Sequence, residues 1–159
     1  MTTGKLIGLA LLGSASLVAT SLAQPASDGG RKFSTPMSGA EEFGGTPPAL
    51  GAGDPDGSAT GSITVNVGQD RVCWEFTNVA NVAPVNRGHI HKAPAGANGS
   101  IVVDFFNVDA GTQGPLTGCT TTPLGKELLK DIIQNPSAYY LNLHNADFPA
   151  GAIRGQLEK

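Results

Sequence analysis

The sequence is poor in charge and has no basic excess. Charged residues make up 14% of its 159 residues, and the net charge is −3 with histidine neutral. A nucleic-acid-binding surface requires clustered Lys and Arg, so the composition argues against a nucleic acid as partner. The low charge accompanies 22 glycines and 11 prolines, which argues against a helical bundle. That combination is typical of short strands joined by many turns.

The sequence has one long apolar run, at its N-terminus, and this run is short for a membrane span. Lys5 precedes the apolar residues 6–19, and a small-x-small tripeptide closes the segment. This order predicts a secretory signal peptide over residues 1–23, cleaved between Ala23 and Gln24; an uncleaved anchor is the alternative. We therefore predict a secreted or periplasmic protein that keeps no membrane span after cleavage.

Cysteine is nearly absent. The chain has only Cys73 and Cys119, and neither directly follows the apolar run, so a lipoprotein is not predicted. Both lie in the segment predicted to be exported, and an oxidising compartment favours one disulfide between them. Two free thiols, or a metal role for either cysteine, remain the alternatives.

One domain is predicted after the signal peptide. Residues 24–32 are polar and are predicted to be a flexible leader, whereas residues 33–159 are enough to bury a hydrophobic core. Apolar and polar side chains alternate in residues 58–67 and 71–79, on either side of a Gly-Gln-Asp turn. This pattern predicts an antiparallel hairpin.

A single helix is predicted near residues 123–134, where apolar side chains recur at helical spacing. Thr122 is its predicted N-cap and Pro123 its first residue. Residues 107–122 are predicted to be a loop that the disulfide fastens to the outer surface of the sheet. The predicted fold class is therefore an all-β, antiparallel, Greek-key-like sandwich with one short helix.

All three histidines of the chain lie in two predicted strands. Residues i and i+2 of a strand point to the same side, so His89 and His91 share a face, and His144 shares a face with Tyr140 and Asn142. If both strands bury their apolar sides, the three imidazoles lie on one outer surface of the sheet. The same alternation predicts the neighbours of this polar patch: Asp104, Tyr140, Asn142 and Arg154.

Three interpretations of the patch are open. Three neutral imidazoles suit copper first and zinc second, provided that their ring nitrogens lie roughly 3–4 Å apart. Alternatively, the histidines are structural and hydrogen-bond to neighbouring side chains, with Arg154 paired to Asp104. The third interpretation is a surface that binds a ligand or partner without metal.

Two acidic pairs are predicted to be solvated. Glu41 and Glu42 end a strand with no obvious carboxylate opposite, and Asp54 and Asp56 flank a turn that lacks the later ligands of a calcium loop. No serine lies in a nucleophile-elbow context. The sequence therefore predicts no catalytic residue.

Several separated motifs give the chain a family resemblance over residues 33–159. They are SGAEE (38–42) with Pro47-Pro48, GSATG (57–61), GHIH (88–91) followed by Gly96 and Asn98-Gly99, YLNLH (140–144) and GAIRGQL (151–157). In this order they resemble the CHRD domain, which is named after chordin and also occurs alone in exported bacterial proteins. The resemblance implies a β-sandwich-like domain and no settled activity.

We therefore expect an exported, non-enzymatic CHRD binding or structural domain. Its expected partner is an unidentified extracellular or envelope protein or glycan. The alternative is a copper- or zinc-binding protein that uses His89, His91 and His144, with redox activity at the copper as a further extension. The His-x-His segment is also similar to that of copper/zinc superoxide dismutases, but this chain lacks the additional histidines that those enzymes need.

Overall fold

The computed structural model of the chain describes Met1 and residues 29–159. Apart from Met1, the predicted signal peptide lies outside these residues, as does most of the predicted leader, so both stay predictions. The first strand begins two residues before the predicted domain boundary, because Arg31 and Lys32 pair with Val65 and Thr64.

In the described part of the chain, ten β-strands and one α-helix form the fold. Their bounds are β1 Arg31–Ser38, β2 Phe43–Gly44, β3 Ala49–Leu50, β4 Ser58–Asn66, β5 Arg71–Ala80, β6 Arg87–Lys92, β7 Ser100–Asn107, β8 Thr117–Cys119, α1 Lys126–Gln134, β9 Tyr139–His144 and β10 Ile153–Gln156. One-turn 3₁₀ helices cover Gly39–Glu41 and Pro136–Ala138.

Eight strands form one antiparallel sheet in the order β7-β6-β9-β10-β1-β4-β5-β8, and β2 pairs with β3 separately. The sheet curls until its two ends pack against each other, since Trp74 on β5 stacks on Phe105 on β7 with ring centroids 4.9 Å apart. Apolar side chains fill the space enclosed. The predicted all-β, antiparallel sandwich is confirmed.

The predicted hairpin is also confirmed, as β4 and β5. Ile63 lies opposite Trp74, and Val65 lies opposite Val72, in the register of the two strands. All four side chains are buried. The period-2 pattern therefore identified the core face of this hairpin correctly, because only one of its faces packs on the interior.

The predicted disulfide joins Cys73 on β5 to Cys119 on β8, two residues that lie directly opposite each other. The prediction that 107–122 is all loop is wrong, since Thr117–Cys119 form the edge strand β8. The Trp74 indole N–H also donates to the Pro115 carbonyl, at 3.1 Å. A three-residue strand with a central glycine is too short to show alternation, which explains why the sequence did not reveal it.

The predicted helix is present but begins later than expected. Gly125 has φ +92°, a conformation outside the helical region, and its N–H donates to Asp70 Oδ1 at 2.9 Å. Thr122 and Pro123 therefore do not cap it, and α1 starts at Lys126. The helix buries Leu129 and Ile132 of its apolar stripe against the core.

Strands β6, β9 and β10 lie side by side, and both of their faces are covered. All six residues of β9 are buried. One face of these strands packs on the apolar core. The loops at residues 93–99 and 145–152 lie against the other face, where their carbonyl oxygens accept hydrogen bonds from Arg154 and His144. Hydrogen bonds fasten each loop to another segment: Asp54 N–H donates to the Ala152 carbonyl at 2.8 Å, and Asn98 Nδ2 donates to the carbonyl of Phe43 on β2 at 2.7 Å. These loops make a second, polar interior above the sheet.

Candidate functional site

The three histidines meet in this polar interior. Pairing of β6 with β9 places His89 opposite Asn142, and His144 is the next residue along β9 on the same side. One nitrogen from each of His89, His91 and His144 lies within 4.8 Å of the others. The closest contact is His89 Nδ1 to His144 Nε2, at 3.1 Å. The structure therefore brings together all three predicted ligands.

The predicted location of the histidines on an outer surface is wrong. His89, His91 and His144 are only 3%, 8% and 6% exposed. Alternation in sequence correctly separated them from the apolar core, but the loops that cover this face come from distant parts of the chain. The histidine cluster is therefore buried between the sheet and its covering loops.

Backbone carbonyls orient two of the imidazole rings. His91 Nδ1 lies 3.0 Å from the Gly99 carbonyl oxygen, and His144 Nδ1 lies 3.2 Å from that of Pro149. A carbonyl oxygen can only accept, so each Nδ1 carries the proton and donates it. The Nε2 atom of each neutral ring is then left with a free lone pair.

His89 has two competing partners. Its Nδ1 faces the lone pair of His144 Nε2, and its Nε2 lies 3.7 Å from Asp104 Oδ1. A neutral imidazole carries one N–H, so without a cation the ring donates from Nδ1 to His144. A cation that took the lone pairs of both rings would instead favour the tautomer whose Nε2–H points to Asp104.

Burial keeps the histidines neutral. It is the largest cause that lowers the pKa of His89 and of His144, from 6.5 to about 4, and neighbouring histidines and Arg87 lower both further. The pKa of His91 is also lowered, by burial first and by the charge of Arg154. At neutral pH the cluster therefore presents neutral imidazoles, the protonation state that binds metals.

Tyr140 and Arg154 form one wall of the cluster. Tyr140 stacks on the His91 ring with centroids 4.9 Å apart, and the Arg154 guanidinium lies 3.4 Å from the centroid of the Tyr140 ring. Arg154 donates to the carbonyls of Ala97 and Pro94, at 2.8 and 2.9 Å. The Arg154 side chain is therefore buried and holds the 93–99 loop in place. The Asp104 side chain, in contrast, is 60% exposed and lies beside His89. The predicted Arg154–Asp104 pair does not form.

Glu42 is the residue of this site that the sequence did not predict. It is 3% exposed, so its interpretation as solvated is wrong, whereas Glu41 is exposed as predicted. Burial raises the pKa of Glu42 from 4.5 to about 7, against the opposing effects of Arg154 and of a hydrogen bond from Asn142. The one cue in the sequence was that Glu42 ends the first motif of the family resemblance. The prediction that Asp54 is solvated is also wrong, since Asp54 is 7% exposed, whereas Asp56 is exposed as predicted.

Three acceptor atoms of this interior are buried with no hydrogen-bond partner among the described residues: Glu42 Oε1, His91 Nε2 and Asn142 Oδ1. A buried lone pair without a donor is costly. The orphaned nitrogen of His91 belongs to the convergent set of histidine nitrogens. A metal ion is the kind of ligand that would satisfy it together with the lone pair of His144, so the donor set fits a metal.

The chain as a whole is similar to one known family of protein domains. Residues 33–157 match the model of the CHRD domain. The chain belongs to the CHRD family. The match spans most of the chain and includes every residue of the histidine cluster. No curated protein and no solved structure is found to match the chain.

Membership of the CHRD family supports a binding or structural domain that is not an enzyme. In the described part of this CHRD protein, no helix has both the length and the apolar character of a membrane span.

Proposed function

We propose that this CHRD domain binds one transition-metal ion through His89, His91 and His144, in an exported protein without enzymatic activity. The observation that supports this most is the convergence of three buried imidazole nitrogens within 4.8 Å of one another. Closing that distance to the 3–4 Å spacing of bound ligands requires ring movements on the order of 1 Å.

The surroundings of the rings also support a metal centre. Histidines that ligate metals generally donate their second N–H to a carbonyl or carboxylate, which fixes the ring and its tautomer. Here the second nitrogens of His91 and His144 face carbonyl oxygens, and that of His89 faces Asp104. His91 Nε2 is buried without a hydrogen-bond partner. In a purely structural cluster this unsatisfied acceptor would only cost stability, whereas a metal ion would satisfy it.

Imidazole donors suit copper and zinc among the common metals. We place copper first, because its affinity for a given nitrogen site exceeds that of zinc in the divalent series. Export to an oxidising compartment is part of the proposal, and the Cys73–Cys119 disulfide supports it.

The test is the metal content and metal affinity of the mature domain. The protein is purified without a histidine tag, its metal is measured by mass spectrometry, and the metal-free form is titrated with copper and zinc salts. We expect one tightly bound ion per chain, with His91→Ala and His144→Ala each losing it. The matched control is Asn107→Ala, at an exposed position at the end of β7. Binding no tighter than micromolar, or tight binding unchanged in both histidine variants, would refute the proposal.

A further inference from the structure

We infer that the histidine cluster selects copper in its +1 state over the divalent ions Cu(II) and Zn(II). The inference deepens the proposed function and rests on it. It follows from three features of the site: the charge of the donors, the charges around them and the number of ligands.

The first feature is that the donors carry no charge. Among the described residues, the grouped metal-ligating side chains are three histidines, and no carboxylate joins them. A Cu(I) ion bound there leaves a net charge of +1, whereas Cu(II) or Zn(II) leaves +2. All three rings are buried, and a buried charge without a partner is expensive. The divalent ions therefore suffer the larger penalty.

The second feature is the set of charges that flank the rings. Arg154 lies behind Tyr140, on the side away from His91, and Arg87 lies directly opposite His144 in the pairing of β6 with β9, two residues before His89. The carboxylates do not outweigh them. Asp104 is 60% exposed and therefore screened by water. Glu42 lies beside Arg154, which offsets its charge.

The third feature is coordination number. Zinc in proteins is almost always four-coordinate, and Cu(II) prefers a square or tetragonal set of ligands. Cu(I) has a filled d shell and accepts three ligands in a plane. Three convergent imidazoles, covered by loops that exclude solvent, supply that number without a further donor.

Affinity measurements test the inference directly. Cu(I) is titrated without oxygen against a Cu(I)-specific chelator, and Cu(II) and Zn(II) are titrated against chelators of known affinity. We expect Cu(I) to be bound tightest by the wild-type protein. Repulsion by a fixed cation doubles when the ion's charge doubles, so Arg87→Gln should narrow the ratio of Cu(I) to Cu(II) affinity by about tenfold. Asp104→Asn should widen the same ratio, because it removes an anion.

Two variants serve as controls. Arg87→Lys keeps the charge, and Lys126→Gln removes a charge from an exposed position on α1; both should leave the ratio unchanged. If no ion binds stoichiometrically, the proposed function fails and the inference fails with it. If Cu(II) or Zn(II) binds at least as tightly as Cu(I), and His91→Ala abolishes that binding, the proposed function stands and the inference alone is overturned. An Arg87→Gln ratio equal to the wild-type ratio would refute the charge argument.

Discussion

The buried carboxyl of Glu42 gives a prediction with a definite sign and size. In the folded protein the pKa of Glu42 is raised from 4.5 to about 7, chiefly because burial disfavours the charged form. Between these two pH values the folded state holds more protons at this site than the unfolded state. Stability therefore falls as pH rises through that window. The full penalty, present above pH 7, is about 3 kcal/mol.

The substitution Glu42→Gln isolates this penalty, because glutamine has a similar shape and no charge. Its amide oxygen can still accept the hydrogen bond from Asn142. We expect the free energy of unfolding of the wild type, minus that of the variant, to fall by about 3 kcal/mol between pH 4 and pH 8. Below about pH 3.5 the difference should be constant, since the carboxyl is then protonated in both the folded and the unfolded state.

Urea denaturation of the metal-free protein, at half-unit pH intervals in the presence of EDTA, measures this difference. Glu41→Gln is the matched control, since Glu41 is adjacent and exposed, and its difference curve should be flat. A flat curve for Glu42→Gln would show that burial does not control this carboxyl. A difference that rises with pH would show that attraction by Arg154 exceeds the cost of desolvation, which reverses the reasoning.

Three further predictions concern the cluster and its scaffold. Without metal, the free energy of unfolding of the wild type, minus that of His144→Gln, should rise with pH from about 4 to 6.5 in urea titrations. Burial lowers the pKa of His144, and likewise that of His89, to about 4, so the folded state binds fewer protons at this site than the unfolded state. Asp104→Asn should weaken copper binding roughly 10- to 100-fold in competition titrations, because the carboxylate orients His89. Replacing both Cys73 and Cys119 with serine should lower the free energy of unfolding by about 3–4 kcal/mol in urea, since the disulfide closes a loop of 46 residues.

Each of these predictions has an outcome that contradicts it. If the difference between the wild type and His144→Gln is constant or falls between pH 4 and pH 6.5, burial does not hold the histidines neutral. Unchanged copper affinity in Asp104→Asn, equal to that of a control Asp109→Asn, would remove the orienting role of Asp104. A serine variant as stable as the wild type would mean that β8 is held by its other contacts with β5.

The strand pattern was predictable from sequence wherever one face packs on the core and local alternation decides the outcome. It correctly placed Val72, Trp74 and Phe76 on the interior face of β5. It also assigned His89 and His91 to one face of β6, which was enough to predict that they lie together.

Burial of the site was not predictable in the same way. Alternation states which side chains avoid the apolar core, but it does not state whether a loop covers them. The segments that cover the histidines are held together by hydrogen bonds between residues far apart in sequence. Asn98 donates a hydrogen bond to the carbonyl of Phe43, and Asp54 N–H donates to that of Ala152. Acidic residues such as Glu41 and Glu42 are normally solvated. Only tertiary packing determines that Glu42 is buried while its neighbour Glu41 is exposed.

The later start of the helix has the same kind of cause. Thr122 followed by Pro123 is a good local signal for a helix N-terminus. The contact between Gly125 N–H and Asp70 is non-local, and it competes successfully with that signal.

Pairing between β6 and β9 has a consequence for the order of events in folding. His89 and His144 are 55 residues apart in the chain, and the segment between them includes the edge strands β7 and β8 and the only α-helix of the described residues. Pairing of β9 with β6 closes this long loop, and loop closure has a large entropic cost. The three ring nitrogens therefore do not exist as a set in a partly folded chain. An ion that needs all three would select chains in which β9 has already docked, and its binding would add stability to that state alone.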